Sequence, residues 1–348
     1  MFKHLSRVIA VACLACAVNA AQSQGLTEIK ASSQPGLYWG LPFHIATEKG
    51  WWAEVGLRTP FTMFPAGVPQ MAAAASNSWD VGGTGSVPAV LGAVRFNIIT
   101  IAIGNDESQN SGLLVRADKA QQYIDNPQLL KGQTIIVPLN STADLSVQSC
   151  LQKFGLKRAD VTLKNMGPAE IISAMSSNNA DLAGVWAPYM YTLEEKAGSK
   201  LLCSGKDAGV IVPANIVARA DYAKQHPQEV AKFLAVYLRG WRWVKANRQE
   251  AIAMIKKFNE LGGVNISEAS IIKDIDSRPV YDLAGQLRIM SRAGGDSEVD
   301  GWFGRIGEFV RSGGAIAKAP IPKDYITDEY LKIIDRDPKL KEFANKSN

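Results

Sequence analysis

Residues 79–88 read WDVGGTGSVP, a short apolar strand that runs into a glycine-rich turn and then into a helix. Glycines such as Gly85 lack a Cβ atom, so the backbone of this turn can approach a ligand closely. Thr84 and Ser86 add hydroxyl groups, and Ser86 is a suitable N-cap. Because a helix N-terminus attracts negative charge, the segment predicts an anion-binding turn, with an ordinary capped turn as the alternative. It is not a dinucleotide-binding fingerprint, because Pro88 stands where the third glycine is required.

Residues 137–144, VPLNSTAD, repeat this arrangement. A strand ends there and a helix begins, with Asn140 or Ser141 as its N-cap and Thr142 directly after. The carboxyl ends of parallel strands are where α/β proteins bind ligands. Two hydroxyl-rich helix starts at such positions predict that an anion is held between them without an arginine. Helix capping alone is the alternative explanation.

Short apolar strands alternate with helical patterns along residues 26–217, which is typical of parallel sheets with crossover helices. From residue 227 onward the pattern is helix after helix, and we expect the apolar face of the first of these helices to pack on the sheet of the first lobe. The length of 348 residues predicts two domains, yet no proline-rich linker separates them. We therefore expect two α/β lobes with a cleft between them, joined by crossing strands at 112–116 and 210–218. The predicted strands are 27–31, 59–64, 80–82, 98–103, 112–116, 134–137, 161–164, 182–185, 200–203 and 210–218, and the predicted helices before residue 227 are 42–52, 68–76, 87–94, 142–154, 168–177 and 188–197.

Residues 1–20 have the pattern of a secretion signal. A basic start is followed by an apolar core over 8–18 that is too short to span a bilayer, and Ala20 ends a set of small residues suited to cleavage. We expect the signal peptide to be cleaved after Ala20 and the mature chain to be periplasmic. A membrane-anchored lipoprotein is the alternative, because Cys13 and Cys16 lie in this segment.

The charge and the motifs exclude several classes of function. The formal net charge is only +5 and no Lys/Arg run is present, so we expect no nucleic acid as a partner. The sequence has neither the Gly-x-Ser-x-Gly elbow of serine hydrolases nor the His-Glu-x-x-His helix of zinc enzymes. We therefore predict no catalytic residues, no metal and no cofactor.

Two cysteines follow the signal segment. Cys150 falls on the apolar face of a predicted helix, and Cys203 ends a short predicted strand. Two buried free thiols are the favoured interpretation. A disulfide is the alternative, because export permits one but the spacing in sequence does not fix the distance between the Cα atoms.

Five stretches of the sequence, in this order, resemble the periplasmic substrate-binding proteins of ABC importers for taurine and aliphatic sulfonates, within the nitrate/sulfonate/taurine-type family. The resemblance covers most of the mature chain. It implies the type II periplasmic-binding-protein fold, in which two α/β lobes close on a ligand in the cleft between them. The stretches are 64–71 (FPAGVPQM), 80–89 (DVGGTGSVPA), 104–115 (GNDESQNSGLLV), 183–188 (AGVWAP) and 219–227 (RADYAKQHP).

The resemblance also implies a domain division, partners and site residues. Lobe 1 is expected to comprise 26–112 and 211–348, and lobe 2 to comprise 113–210. The expected partners are a small organic anion and an ABC permease with its ATPase, and we expect a monomer. Matching positions predict one half of the ligand site at 84–86 and the other at 140–142, with an acid at 207 placed to pair with a ligand amine. The predicted ligand-binding residues are Trp39, Thr84, Gly85, Ser86, Asn105, Asn140, Ser141, Thr142, Trp186, Pro188 and Asp207.

The sequence therefore predicts the solute-binding component of an ABC importer, which captures taurine or another small organic sulfonate by lobe closure. A receptor for nitrate, an aromatic sulfonate or a thiamine-type pyrimidine is the first alternative. An enzyme of the thiamine-pyrimidine synthase type on the same fold is a further one. A receptor that signals rather than delivers its ligand would have the same sequence features.

Overall fold

The computed structural model describes residues 25–348. The predicted signal peptide, its cleavage site and the two cysteines within it lie outside the described residues. No helix in the described part is both long enough and apolar enough to cross a membrane.

Two five-stranded sheets and a small parallel pair of strands organise the described chain. The strands are β1 (Thr27–Glu28), β2 (Ala31–Ser33), β3 (Leu57–Arg58), β4 (Phe61–Met63), β5 (Val81–Gly85), β6 (Ile98–Asp106), β7 (Ser111–Val115), β8 (Thr134–Val137), β9 (Thr162–Asn165), β10 (Leu182–Trp186), β11 (Lys200–Ser204) and β12 (Pro213–Arg219). The first sheet has the strand order β4-β2-β5-β12-β6, the second has the order β11-β7-β10-β8-β9, and β1 and β3 form the small pair.

Both sheets are mixed rather than purely parallel. In the first sheet β2, β4 and β5 are parallel, whereas β12 runs antiparallel to both β5 and β6. In the second sheet β8, β9 and β10 are parallel, whereas β7 runs antiparallel to β10 and β11. The prediction of parallel sheets is thus confirmed for the strands that alternate with helices. It is wrong for β7 and β12, the strands that follow the two crossings, because each of them runs opposite to its neighbours on both edges.

Helices cover both sheets and form most of the C-terminal region, in which the longest segment without an α-helix lies between Ser312 and Glu329. They are α1 (Leu37–Glu48), α2 (Trp51–Glu54), α3 (Gly67–Ala73), α4 (Ser86–Phe96), α5 (Ala117–Asp125), α6 (Thr142–Lys153), α7 (Pro168–Ser176), α8 (Tyr189–Ala197), α9 (Ala220–Gln225), α10 (Pro227–Ala246), α11 (Arg248–Leu261), α12 (Glu268–Asp276), α13 (Leu283–Ile289), α14 (Glu298–Ser312), α15 (Glu329–Arg336) and α16 (Pro338–Asn345).

The chain crosses between the sheets at 107–110 and returns at 205–212. The predicted crossings, 112–116 and 210–218, are for the most part strands inside the sheets, and that prediction is wrong. Every residue of β12 is buried, and this strand pairs on both of its edges. An extended apolar segment has the same sequence pattern in a sheet centre as in a linker, so the pattern could not separate the two.

The long helix α10 packs mainly on other helices. Its neighbours are α1, α15 and α16. The rings of Phe43 in α1 and Phe233 in α10 are stacked with their centroids 4.5 Å apart. The predicted apolar face is confirmed, but its partner is α1, which itself lies against β5 and β12, rather than the sheet directly.

The remaining cysteines form a disulfide, so the favoured interpretation of two free thiols is wrong. Cys150 lies in α6 and Cys203 lies in the edge strand β11, with their Cα atoms 6.0 Å apart. Helix α6 packs across both β7 and β11, which brings the two cysteines together over a sequence separation of 53 residues. This juxtaposition depends on the order of strands in the sheet, which the sequence pattern does not reveal.

Candidate functional site

The glycine-rich turn predicted from the sequence lies at the carboxyl end of β5, and two of its glycines are required by close approaches. A Cβ atom on Gly83 would lie 2.2 Å from the carbonyl oxygen of Trp39. A Cβ atom on Gly85 would lie 2.6 Å from Cγ2 of Thr142. Real Cβ atoms do not approach other atoms so closely, so both positions need glycine as long as these neighbours stay in place. The turn is therefore packed against α1 on one side and the start of α6 on the other.

Ser86 is the first residue of α4, and Gly85 is its N-cap, so the prediction that Ser86 is the cap is wrong. The side chain of Ser86 is fully buried, and its Oγ has no hydrogen-bond partner among the described residues. A buried hydroxyl without a partner is costly. Because its Oγ is not used to cap the helix, Ser86 can donate to a ligand at the N-terminus of α4.

Thr84 is buried in an internal network of amide side chains. Its Oγ1 accepts a hydrogen bond of 2.8 Å from Nε2 of Gln34, which also donates to Oε1 of Gln70 at 2.7 Å. Gln70 in turn donates to the Gly83 carbonyl oxygen at 3.0 Å and so supports the turn. Sequence reasoning missed these two glutamines, although Gln70 belongs to the 64–71 stretch. Their contacts give them a supporting role around the turn.

Asn215 is a further residue that the sequence analysis did not select. It lies in β12, where its Cα pairs with that of Thr84 on one side and that of Ile103 on the other. Its side chain is fully buried, and Oδ1 lacks a partner within residues 25–348. A polar residue inside an otherwise apolar strand was the signal that could have identified it.

The second predicted helix start is confirmed as a capped N-terminus. Ser141 is the N-cap of α6, and its Oγ accepts a hydrogen bond of 3.3 Å from the Asp144 backbone N–H. The Asp144 carboxylate accepts from the backbone N–H of Asn140 at 2.9 Å. Asn140 has a φ of 60°, the left-handed conformation that asparagine tolerates. Thr142 follows as the first residue of α6 and is buried.

Two of the predicted site residues are tryptophans that bury an unused N–H group. Trp39, in the first turn of α1, and Trp186, the last residue of β10, are 1% and 3% exposed. Neither Nε1 has an acceptor in the described part of the chain. The ring of Trp186 meets that of Tyr189 edge to face, with the centroids 5.9 Å apart. Pro188 stands between Trp186 and Tyr189 in the sequence, and the peptide bond that precedes it is cis.

The last two predicted site residues have different surroundings. Asn105 is fully buried near the first crossing, and its Oδ1 has no partner that the structure describes. Asp207 lies in an exposed turn, where its Oδ2 accepts from the backbone N–H of Ser204 at 2.9 Å and from Oγ of Ser204 at 2.7 Å. The backbone hydrogen bond from Ser204 lowers the pKa of this carboxyl. Its carboxylate is engaged in holding the turn, and no contact joins it to the helix starts.

The approach of Gly85 to Thr142 therefore brings together the starts of two helices that lie on different sheets, and Trp39 packs against the same turn at Gly83. Because helix N-termini carry partial positive charge and Ser86 and Trp39 each present an unused donor, this geometry suits an anion. No group of three or more His, Cys, Asp or Glu side chains among residues 25–348 is arranged to hold a metal ion.

Comparison with known proteins gives a consistent set of matches. The sequence profile of the family described as NMT1/THI5 like matches residues 40–251. A candidate aliphatic sulfonates-binding protein of Bacillus subtilis (strain 168) is 28% identical over 270 residues, covering 75% of this chain and 80% of that protein. The taurine-binding periplasmic protein of Escherichia coli (strain K12) is 30% identical over 183 residues, which cover 52% of this chain and 55% of that protein. Both of these relatives are binding proteins, in agreement with the prediction that the chain is not an enzyme.

A solved structure establishes the fold. The alkanesulfonate-binding protein SsuA of Xanthomonas axonopodis pv. citri, bound to MOPS, superposes with a TM-score of 0.73 at 17% identity. The superposition covers 88% of this chain and 99% of that protein. The chain has the type II periplasmic-binding-protein fold, as predicted from the sequence.

Proposed function

The chain belongs to the NMT1/THI5-like family, and from this premise we propose that it is the solute-binding component of an ABC importer for small organic sulfonates, with taurine as the first candidate. Its relatives are named for binding aliphatic sulfonates and taurine, which supports the class of ligand. The proposed partners are an ABC permease and its ATPase, and the proposed location is the periplasm after cleavage at Ala20. The protein acts as a monomer in this proposal.

One observation carries the proposal: the first residue of α4 has a buried hydroxyl without a partner in the described chain, and two predicted site tryptophans bury an unused N–H group. Ser86 Oγ, Trp39 Nε1 and Trp186 Nε1 are all buried and unpaired within the described chain. Leaving a buried polar group unsatisfied costs roughly 1–3 kcal/mol. A sulfonate has three oxygens that accept hydrogen bonds, so it would satisfy such donors, and its charge would interact favourably with the helix N-terminus.

The same donors fit a permanently charged anion. Amide, hydroxyl and indole N–H groups do not titrate near neutral pH, and a sulfonate stays ionised throughout. The affinity of such a site should change little between about pH 6 and pH 8. A tenfold loss across this interval would point to a ligand or a side chain that titrates.

Capture in this proposal occurs by closure of two lobes, which we assign to 26–112 with 211–348 and to 113–210. The first sheet and the C-terminal helices belong to lobe 1, and the second sheet belongs to lobe 2 apart from the first two residues of β7. The approach of Gly85 and Thr142 joins the two sides of the cleft. Ligand contacts with both lobes favour the closed form, so binding shifts the population toward the form that a permease would recognise.

The test is a thermal-shift screen of the chain from residue 21 onward. The compounds are taurine, ethanesulfonate, an aromatic sulfonate, nitrate, sulfate and a thiamine-type pyrimidine. A ligand present at 100 times its dissociation constant stabilises the folded chain by about 2.7 kcal/mol, which is easily measured. Stabilisation by taurine or ethanesulfonate supports the proposal. Stabilisation by nitrate or a pyrimidine alone, or by none of the compounds, contradicts it.

A further inference from the structure

A second contact between the lobes lies at the side of α8 and does not include the two helix starts. Helix α8 packs on α7 and β10 of lobe 2, whereas α12 packs on α11 of lobe 1. The Glu195 carboxylate of α8 reaches the N-terminus of α12. It accepts hydrogen bonds from the backbone N–H of Ser267 at 3.0 Å, from Oγ of Ser267 at 2.7 Å and from Oγ of Ser270 at 2.6 Å. Ser267 is the N-cap of α12, so the negative charge of Glu195 lies at the positive end of this helix.

One turn along α12, an ion pair joins the same two helices. Lys273 Nζ lies 3.1 Å from Oε2 of Glu194 in α8. The same ammonium group lies 5.1 Å from the centroid of the Tyr191 ring, also in α8. The ends of both acidic side chains on α8 are thus used by groups on or next to α12.

Below these exposed contacts, Asn110 connects the first crossing to both helices. Its Nδ2 donates to the Tyr191 hydroxyl and to Oγ of Ser277, each at 2.7 Å. The backbone carbonyl oxygen of Asn110 accepts a hydrogen bond of 2.8 Å from the backbone N–H of Ala187. Ala187 directly follows the predicted site residue Trp186. The crossing residue therefore links the Trp186 turn to the end of α12.

A group of buried ionisable side chains also joins the first crossing to α12. The Arg278 guanidinium donates hydrogen bonds to the carboxyl group of Glu107, in the first crossing, and to that of Asp274, in α12. All three side chains are almost fully buried. A buried charge is tolerated only when it is paired, so Glu107 and Asp274 are held close to Arg278.

We propose that these contacts, which we call the α8–α12 clasp (Tyr191, Glu194 and Glu195 with Ser267, Ser270 and Lys273), set the balance between open and closed lobes. The clasp joins one lobe to the other, so the lobes cannot separate at this side without breaking it. It includes none of the predicted ligand-binding residues, so in this proposal it controls affinity through the closed fraction. The apparent dissociation constant rises as the closed fraction falls. This inference rests on the proposed function for its ligand readout.

The test removes the exposed contacts and leaves the buried ones. We compare the double variant Glu195→Ala/Lys273→Ala with the control Glu268→Ala. Glu268 is an exposed residue of α12 for which the structure shows neither an ion pair nor a side-chain hydrogen bond within residues 25–348. The affinity for taurine or ethanesulfonate is measured by titration calorimetry. Spin labels on exposed Ala169 in α7 and Lys224 in α9 report the distance between the lobes.

The double variant is expected to bind about fivefold to tenfold more weakly, within the usual range of coupling between a conformational equilibrium and binding. Its distance distribution should shift toward longer separations, whereas the control should match the wild type in both measurements. An unchanged dissociation constant, an unchanged distance distribution, or an equal loss in the control would each overturn the inference.

The two proposals fail in different ways. If no sulfonate binds the wild-type chain, the proposed function fails, and the clasp is tested on the ligand-free protein by the spin labels alone. A closed population in the wild type that decreases in the double variant would still support the clasp. The absence of any closed population in the wild type, or no difference between the proteins, would overturn it.

Discussion

Gly85 and Thr142 meet where the two sheets face each other: a Cβ atom on residue 85 would lie 2.6 Å from the Thr142 methyl group. Gly85 ends β5 of the first sheet, and Thr142 begins α6 over the second sheet. The backbone of Gly85 has a φ of −75° and a ψ of 164°, an extended conformation that any residue can adopt. Glycine is therefore required here by the neighbour across the cleft and not by the local backbone.

Substitution Gly85→Ala is expected to weaken sulfonate binding at least tenfold, because the added methyl group keeps the lobes from closing fully. The double variant Gly85→Ala/Thr142→Ser should regain most of the affinity, since it removes the methyl group that the new Cβ meets. Titration calorimetry measures both effects. Gly304→Ala in α14 is the matched control, because a Cβ atom there meets nothing within 4 Å. Equal affinities of Gly85→Ala and the wild type would refute the contact.

Substitution Ser86→Ala should lower the affinity for a sulfonate by about tenfold or more, because a hydrogen bond to a charged group contributes about 1.5–3 kcal/mol. The stability of the ligand-free chain should not fall, since the Ser86 hydroxyl has no partner within the described residues. Ser146→Ala is the control, because its buried Oγ bonds to Oγ of Ser111 at 3.1 Å. The control should lose stability and keep its affinity. If Ser86→Ala lost stability and kept its affinity, Ser86 would be excluded from the site.

Replacing Trp186 by Phe should lower affinity about tenfold through loss of the indole N–H, while the aromatic ring is kept. Trp79→Phe provides the comparison, because Trp79 Nε1 donates to the Gln70 carbonyl oxygen at 2.9 Å and is already used inside the fold. That variant should unfold at a lower denaturant concentration and bind normally once folded. Fluorescence titration and urea unfolding of both variants test the prediction. Normal binding by Trp186→Phe would count against a ligand contact.

The free energy of unfolding should fall as the pH rises from about 5 to about 8, because of Glu107. Burial raises the pKa of this carboxyl from 4.5 to about 8, against the opposing effect of Arg278. Within this interval the folded chain retains a proton that the unfolded chain has lost. The stability gained from this proton is thus fully present below about pH 4.5 and is lost as the pH passes 8. The nearby carboxylates of Asp274 and Asp106 act in the same direction.

Urea unfolding at pH 5, 6.5 and 8 tests this dependence. The variant Glu107→Gln resembles the protonated carboxyl, so its stability should change less across the series than that of the wild type. Parallel pH profiles for the two proteins would show that Glu107 does not keep its proton in the folded state.

Local sequence patterns predicted most elements of the fold. The strand predicted at 134–137 is β8 with the same bounds, and the helix predicted at 142–154 is α6 within one residue. Hydrophobic periodicity and capping residues act over a few positions, so they can be read without knowing the fold. The helix start at 142 was found for the same reason, and the start at 86 was found within one residue. The direction of β12 was not predicted, because it depends on the strands between which the chain inserts when it returns to the first sheet.

The alternation of strands and helices and the two hydroxyl-rich helix starts follow from the sequence alone, because they depend on short-range steric and hydrogen-bonding rules. The five motif stretches in turn carry the resemblance that predicted the fold. The disulfide between Cys150 and Cys203, the exposed turn of Asp207 and the position of Asn215 beside Thr84 follow only from the tertiary structure. The tertiary structure also places α8 against α12, where Glu195 and Ser267 are in contact although they are 72 residues apart along the chain. Such contacts join segments distant in sequence, and they are fixed by the packing of both sheets and the C-terminal helices together.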